Sequence, residues 1–329
     1  MSLSVVIPTY NRADLLPATL DSVFAQTVAP DEVIVVDDGS QDDTPAVLRR
    51  YAGRVRNITI ENSGDLVARN AGLAAASGEL VAFCDSDDIW RPGHLAAMAE
   101  LWRREPATRC AYGDFVILRD GVWGATSKFA GVPRDFWRGL RIHGRTLGWF
   151  DRPIIDRLVT FQPFFPSCMV ADRRFLLSVG GWDDQVPRLG GDVATALLMA
   201  EHPPLGVYRG PAQVGIRKHG ANLSGDDQAL NLGASRMFEL VLATRPSVAG
   251  YADLIREKIL ALRVAALDTA FARHDFQAVQ EIDALLGPAR KPAPLRVKRW
   301  VASLPEPLRV PLAAALLAAG SAKAGLLRI

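Results

Sequence analysis

The order of short apolar runs and helix-patterned segments in the first 105 residues constrains this chain more than any other feature. "SVVIP" (Ser4 to Pro8) is a brief, β-branched apolar run of the kind buried on both faces of a sheet, and Val33 to Asp37, "RNITIEN" and "ELVAFCD" read as three further strands. Between them lie segments with helical periodicity. Leu15, Leu16, Leu20, Val23 and Phe24 recur at helical spacing, with Asn11 as the expected cap and Pro17 in the first turn. "TPAVLRRYA" follows, with Thr44 as its expected cap and Pro45 at its first position. "GDLVARNAGLAAASG" closes on Gly78 as an expected helix stop, and "RPGHLAAMAELWRRE" completes the series. Strands alternating with helices in this way predict an α/β fold with a mostly parallel sheet flanked by helices. With 329 residues, 49% of them hydrophobic, the chain can build one large domain and an accessory part.

In such sheets ligands sit beyond the carboxyl ends of the strands. Here those ends carry acids: Asp37 and Asp38 after one strand, and Asp85, Asp87 and Asp88 in "FCDSDDIW" after another. No G-x-x-x-x-G-K-[ST] loop is present, and no G-x-G-x-x-G follows the first strand. A cluster of carboxylates tolerates a diphosphate nearby when a divalent cation joins it. Mg²⁺ and Mn²⁺ suit that role because they take oxygen ligands from carboxylates and phosphates. Taken singly, "DDGS" and "DSDD" also read as polar turns. The net charge of +2 argues against a nucleic-acid partner. Cys84, Cys110 and Cys168 show neither metal-ligand spacing nor a disulfide framework, so reduced thiols in a cytoplasmic protein are expected, with Cys84 in the core. Met1 leads straight into a strand rather than a signal peptide. The late apolar run from Pro311 to Ala319 is far shorter than the roughly 20 residues that span a bilayer.

Four segments in order, "VVIPTYNR", "VIVVDDGSQDDT", "ARNAGLAAASGELVAFCDSDD" and "VGGWDD", resemble the family 2 glycosyltransferases, which have the GT-A (Rossmann-like) fold. The resemblance covers about residues 1–225, with 1–114 as the nucleotide-sugar half and 115–225 as the acceptor-side half. It implies an inverting enzyme that uses a nucleotide-diphosphate sugar, UDP-linked by the family habit at Asp38, together with Mg²⁺ or Mn²⁺. By the same resemblance Pro8, Thr9, Tyr10 and Arg12 receive the nucleoside, and Asp38, supported by Asp37, meets the base. Asn62, Gly64, Arg69 and Asn70 run along the nucleotide and sugar. Asp85 and Ser86 face the donor, while Asp87 holds the metal with His219 near it and Ser224 assisting. Asp192 is the expected general base, with Asp183 and Asp184 as competitors, and Trp182 and Asp183 face the acceptor. One position departs from the family pattern: Gly191 stands where many relatives have a glutamate.

A single displacement of this kind builds negative charge on the leaving diphosphate, which a metal, Arg69, His219 or Lys218 would offset. It needs a base for the acceptor hydroxyl and no nucleophilic Ser or Cys. The expected product is a bacterial polysaccharide or surface glycan, on a glycan or lipid-linked acceptor. The alternatives are a sugar-nucleotide pyrophosphorylase and a GT-A-like binding subunit that has lost activity, which the Gly191 departure leaves open. Residues 115–165, with Trp123, Trp137 and Trp149 among several arginines, read equally as an acceptor grip or as loops and short helices covering a sheet edge.

From Asp226 the pattern turns helical, giving an expected extension over 226–287 with helices in "YADLIREKILALRVAALDTAF" and "FQAVQEIDALLG". The tail, 288–329, is basic: Arg290, Lys291, Arg296, Lys298, Arg299, Arg309, Lys323 and Arg328 face only Glu306. It reads either as a peripheral contact with anionic lipid at the inner membrane face or as a helix docked on the protein's own body.

Overall fold

The computed structural model describes residues 1–187, 189–220, 226–287 and 293–326, with side chains through 319. Ser224, Arg290, Lys291, Arg328 and the side chain of Lys323 lie outside the described residues. The chain divides into two compact units, Met1–Asn222 and Leu223–Ile329.

The first unit opens with β1 (Leu3–Thr9), α1 (Leu16–Phe24), β2 (Glu32–Asp37), α2 (Thr44–Arg50), β3 (Arg56–Thr59), α3 (Asp65–Ala75), β4 (Leu80–Phe83), β5 (Ile89–Trp90) and α4 (His94–Arg104). It continues with β6 (Cys110–Tyr112), β7 (Phe115–Arg119), β8 (Val122–Ser127), β9 (Leu140–His143), β10 (Leu147–Phe150), α5 (Ile155–Thr160), β11 (Met169–Asp172), α6 (Arg173–Ser178), α7 (Gly191–Ala200), β12 (Leu205–Tyr208) and β13 (Val214–Arg217). The main sheet runs β3-β2-β1-β4-β11-β6-β12-β10-β9, and a smaller one runs β5-β13-β7-β8. From β3 to β4 all pairings are parallel, as the alternation predicts. Beyond β4 every pairing except β6 with β12 is antiparallel, so the sheet is mixed rather than mostly parallel. The core lies on β1, β2 and β4, where Val5, Val6, Ile7, Ile34, Val35 and Phe83 are inaccessible to solvent.

Three local expectations are corrected, each because a polar or small residue serves a long-range contact. Asn11 caps nothing. It takes a left-handed φ of 51° and its Oδ1 accepts the Gln41 N–H at 2.7 Å. Thr44 is the first residue of α2, and its Oγ1 accepts the Arg12 N–H at 2.9 Å while Asp42 accepts the Thr44 N–H. These bonds fasten the loop after β1 to the loop after β2, both at the carboxyl ends of the sheet. Gly78 does not stop a helix, since α3 ends at Ala75; a Cβ there would lie 2.6 Å from Ser4 Oγ, so it is a packing glycine.

The second unit is helical: α8 (Asp227–Thr244), α9 (Ala252–Ala272), α10 (Phe276–Leu285), α11 (Ala293–Ala302) and α12 (Glu306–Leu326). Asp226 caps α8 and Asp275 caps α10. Phe271, Phe276, Val279, Ile282, Val301 and Ala313 belong to its separate core. No helix among the described residues is long and apolar enough to cross a membrane.

Candidate active site

The Asp85–Asp88 turn leaves the carboxyl end of β4 and is held from two sides. Ser167 Oγ accepts the Asp85 N–H at 2.9 Å and donates to Asp88 Oδ2 at 2.5 Å. Arg217, the last residue of β13, donates its N–H to Asp88 Oδ1 at 3.1 Å and its Nε to the Asp87 carbonyl. The same guanidinium reaches the Leu15 carbonyl at 2.9 Å and Thr19 Oγ1 at 2.6 Å. Asp88 is buried, and burial, with the charges of Asp87 and Asp85, pushes its carboxyl well above the usual range. Its role is to anchor the turn. Ser86 is buried too, and its carbonyl accepts from Thr19 Oγ1 at 2.9 Å.

Two charged groups flank this turn. In the first, Arg69 on α3 is almost wholly buried and donates to Asp65 Oδ2 at 2.5 Å and Asp85 Oδ1 at 2.7 Å, with Asp192 Oδ1 3.6 Å away. Burial alone would lower the guanidinium's pKa; the charges of Asp85, Asp65 and Asp192 overcome that and raise it. Asp85 is raised, first by burial and despite Arg69, with the Asp87 charge adding to the rise. Asp192, in the first turn of α7, keeps 44% of its side-chain surface open. The protein around it still removes enough water to push its carboxyl up to about 7, against the pull of Arg69 and with help from Asp85 and Asp65. In the second group, Asp87 Oδ2 lies 2.9 Å from His219 Nε2 and 3.4 Å from Arg12 Nε. The turn thus joins an acid suited to proton transfer with an acid–imidazole pair suited to a cation.

Not every expected residue enters this arrangement. Asp38 is buried, and its two oxygens accept the Ser63 and Gly64 N–H groups at 2.7 and 2.9 Å, so it fastens the loop that opens α3. Asp37 accepts the Ser40 N–H at 2.9 Å. Pro8 and Thr9 end β1 in the buried sheet, Tyr10 is half-buried, and Asn62 is exposed in the loop before Gly64, whose φ is 96°. Asn70 is half-buried, and its amide exchanges two 2.8 Å hydrogen bonds with the backbone of Trp182, which clamps that turn to α3. Trp182 is corrected. Only 2% of it is exposed, it packs edge-on against Phe83, and Arg69 lies over its ring, so it offers no free face to a sugar. Asp183 sits in the following turn and accepts the Gln185 N–H at 3.2 Å.

Ser167, Asp65 and Thr19 escaped the sequence reading, because their roles come from partners far along the chain. Arg217 stands two residues before His219, and a basic residue ending the apolar run Val214–Ile216 is a usable signal in the sequence. The Gly191 departure has a packing cause. A Cβ there would lie 2.6 Å from Leu66 Cδ1, so α3 and α7 approach too closely for a glutamate unless Leu66 moves. The aromatics of residues 115–165 mostly pack on one another: Trp137 stacks on Phe150, Tyr112 on Phe164, and Trp149 is buried with its Nε1 donating to Thr108 Oγ1.

Residues 4–164 match the family model "Glycosyl transferase family 2". TuaG of Bacillus subtilis (strain 168), a glycosyltransferase named for teichuronic acid biosynthesis, is 37% identical over 169 residues, which are 50% of this chain and 66% of TuaG. The Escherichia coli UDP-Glc:α-D-GlcNAc-diphosphoundecaprenol β-1,3-glucosyltransferase WfgD is 35% identical over 120 residues, 36% of this chain and 47% of WfgD. Two further curated glycosyltransferases align over 33% and 38% of their own length, so the shared part is about a third of those proteins. Among solved structures, S. aureus TarS 1-349 in complex with UDP-GlcNAc has a TM-score of 0.58 at 18% identity, covering 91% of this chain and 88% of that one, which establishes a shared fold. Motifs, family match and fold agree, and the chain belongs to glycosyltransferase family 2.

Proposed function

We propose that this protein transfers a sugar, with inversion, from a nucleotide-diphosphate sugar to an acceptor hydroxyl in bacterial polysaccharide or surface-glycan synthesis. The observation that carries the reading is the position of Asp192, 3.6 Å from the buried Arg69 that also binds Asp85 at 2.7 Å, where burial pushes its carboxyl up to about 7. A carboxylate with that pKa is matched to general-base work at neutral pH. Asp192 would take the acceptor proton as the hydroxyl attacks the anomeric carbon, and Arg69 would hold Asp85 oriented at the donor. UDP is the favoured nucleotide, in keeping with the UDP donors named for WfgD and TarS, and a lipid-linked acceptor is in keeping with the name of WfgD.

Asp87 and His219 fit a divalent cation, since they bring a carboxylate oxygen and an imidazole nitrogen to within 2.9 Å of each other. No set of three or more acid, His or Cys donors gathers among the described residues, so diphosphate oxygens and water would complete the coordination. When bound, the ion would supply positive charge for the leaving diphosphate. Arg12, 3.4 Å from the same Asp87 oxygen, would add to that charge. The pyrophosphorylase alternative gains no support from this arrangement. The inactive-subunit alternative rests on the glutamate missing at Gly191, and turnover by the native protein would remove it. Incubation with a panel of UDP-sugars, Mn²⁺ and polyprenyl-diphosphate acceptors tests the reading. Acceptor-dependent release of UDP by the native protein, slowed by about 10²–10⁴-fold in Asp192→Asn, is the expected result; equal turnover by the two would remove Asp192 from its role.

A further inference from the structure

Surface helices of a water-surrounded protein turn polar residues outward. Helix α12 does the reverse. Its packed edge holds Ala313, which is fully buried, the half-buried Leu317, and Arg309, whose guanidinium lies 5.0 Å from the Phe276 ring centre. Its opposite face, at helical spacing, is Leu308, Pro311, Leu312, Ala315 and Ala319, all exposed and all apolar. Leu308 is 54% exposed. The preceding helix, α11, turns Arg296, Val297 and Trp300 outward together, with Trp300 56% exposed. An indole, an arginine and a face of two leucines, a proline and two alanines on neighbouring helices have the composition of an element lying in a lipid interface.

We propose that the outward surface of α11 and α12 docks in the interface of a bilayer containing anionic lipid. The inference stands on the helical unit alone and goes beyond the sugar-transfer reading. Charge selects the occupant. From residue 288 onward the chain carries basic side chains against the single acid Glu306, which complements anionic headgroups. Lys298 and Arg299 also pair with Asp268 and Asp283, while Arg296 stands beside Trp300 on the outward face. A second copy meeting this face through a two-fold axis would bring the same basic stretch against itself, which disfavours self-association. No described helix is fit to span the bilayer, so the surface lies along it instead of crossing it.

Co-sedimentation of the full chain with vesicles tests this, using phosphatidylcholine alone and phosphatidylcholine mixed with phosphatidylglycerol. The native protein should pellet with the mixed vesicles, less so at high salt and little with phosphatidylcholine alone. Leu308→Gln/Leu312→Gln should weaken partitioning by at least about tenfold while the circular dichroism stays native. If those changes disturb the helix, Trp300→Ala serves instead: the blue shift that mixed vesicles induce in native tryptophan fluorescence should be lost. Equal partitioning of native and altered proteins, or no binding to mixed vesicles, overturns the proposal. So does a native dimer in light scattering that Leu308→Gln/Leu312→Gln converts to monomer, since the face would then join two copies.

Discussion

A guanidinium buried among Asp65, Asp85 and Asp192 is held charged by them, and in turn it limits how far the carboxyls of Asp85 and Asp192 can rise. Arg69→Met would leave those acids without their counter-charge, at a cost of about 3–5 kcal/mol as for other broken buried pairs. Urea denaturation would show it as a lowered midpoint with an unchanged slope. Asp192 sets a pH dependence. As a base it must be deprotonated, so kcat/KM should climb through an apparent pKa of about 7 on the acid side. Asp192→Asn should flatten that limb and lower the rate by about 10²–10⁴-fold. Stability runs the opposite way. The folded pKa of about 7 exceeds the ordinary 3.8, so this group's contribution is full below 3.8 and is lost as pH rises through 7. Asp192→Asn should therefore melt no lower than the native protein at pH 8; a lower Tm would contradict the assigned shift.

At the scale of elements, the contact between α3 and α7 decides where Asp192 sits. Gly191→Glu would force Leu66 aside and should destabilise by about 1–3 kcal/mol, the usual range for overpacking. Adding Leu66→Ala should recover part of that loss in a double-mutant cycle, whereas strict additivity would mean the two residues do not meet. The elements legible in the sequence were those with strong local signals. β1, β2 and β4 are apolar runs and α1 to α4 carry apolar stripes, so each forms in the segment where the pattern placed it, while β3 (RNIT) is a largely exposed strand legible from its place in the alternation. Strands β7 to β10 read as loops. β8 and β9 are largely exposed, and the aromatics around β10 are ordered by contacts with Phe136 and Phe164 instead of by any period. In the site, the acids at strand ends were visible, but their fastening was not. Ser167 meets Asp88 across 79 residues, and Asn70 meets Trp182 across 112, separations that no local pattern encodes.

On the scale of the whole molecule, two compact units each carry their own apolar cluster, so calorimetry should resolve two unfolding transitions. UDP with Mn²⁺ should raise only the one belonging to the sheet unit, by about 2.7 kcal/mol at a hundred times its Kd. An equal shift of both would mean that the units unfold together. The Arg217 strap also orders events during synthesis. The acidic turn is fully tied only when Arg217 arrives, 129 residues after Asp88 and 202 after Leu15. At about 5–20 residues per second, a ribosome spends on the order of ten seconds with Asp85, Asp87 and Asp88 made and their fastening still to come. Over that interval the nascent chain can pair its parallel strands, yet its acids stay loose, so the growing protein should capture no donor until its last strand has emerged.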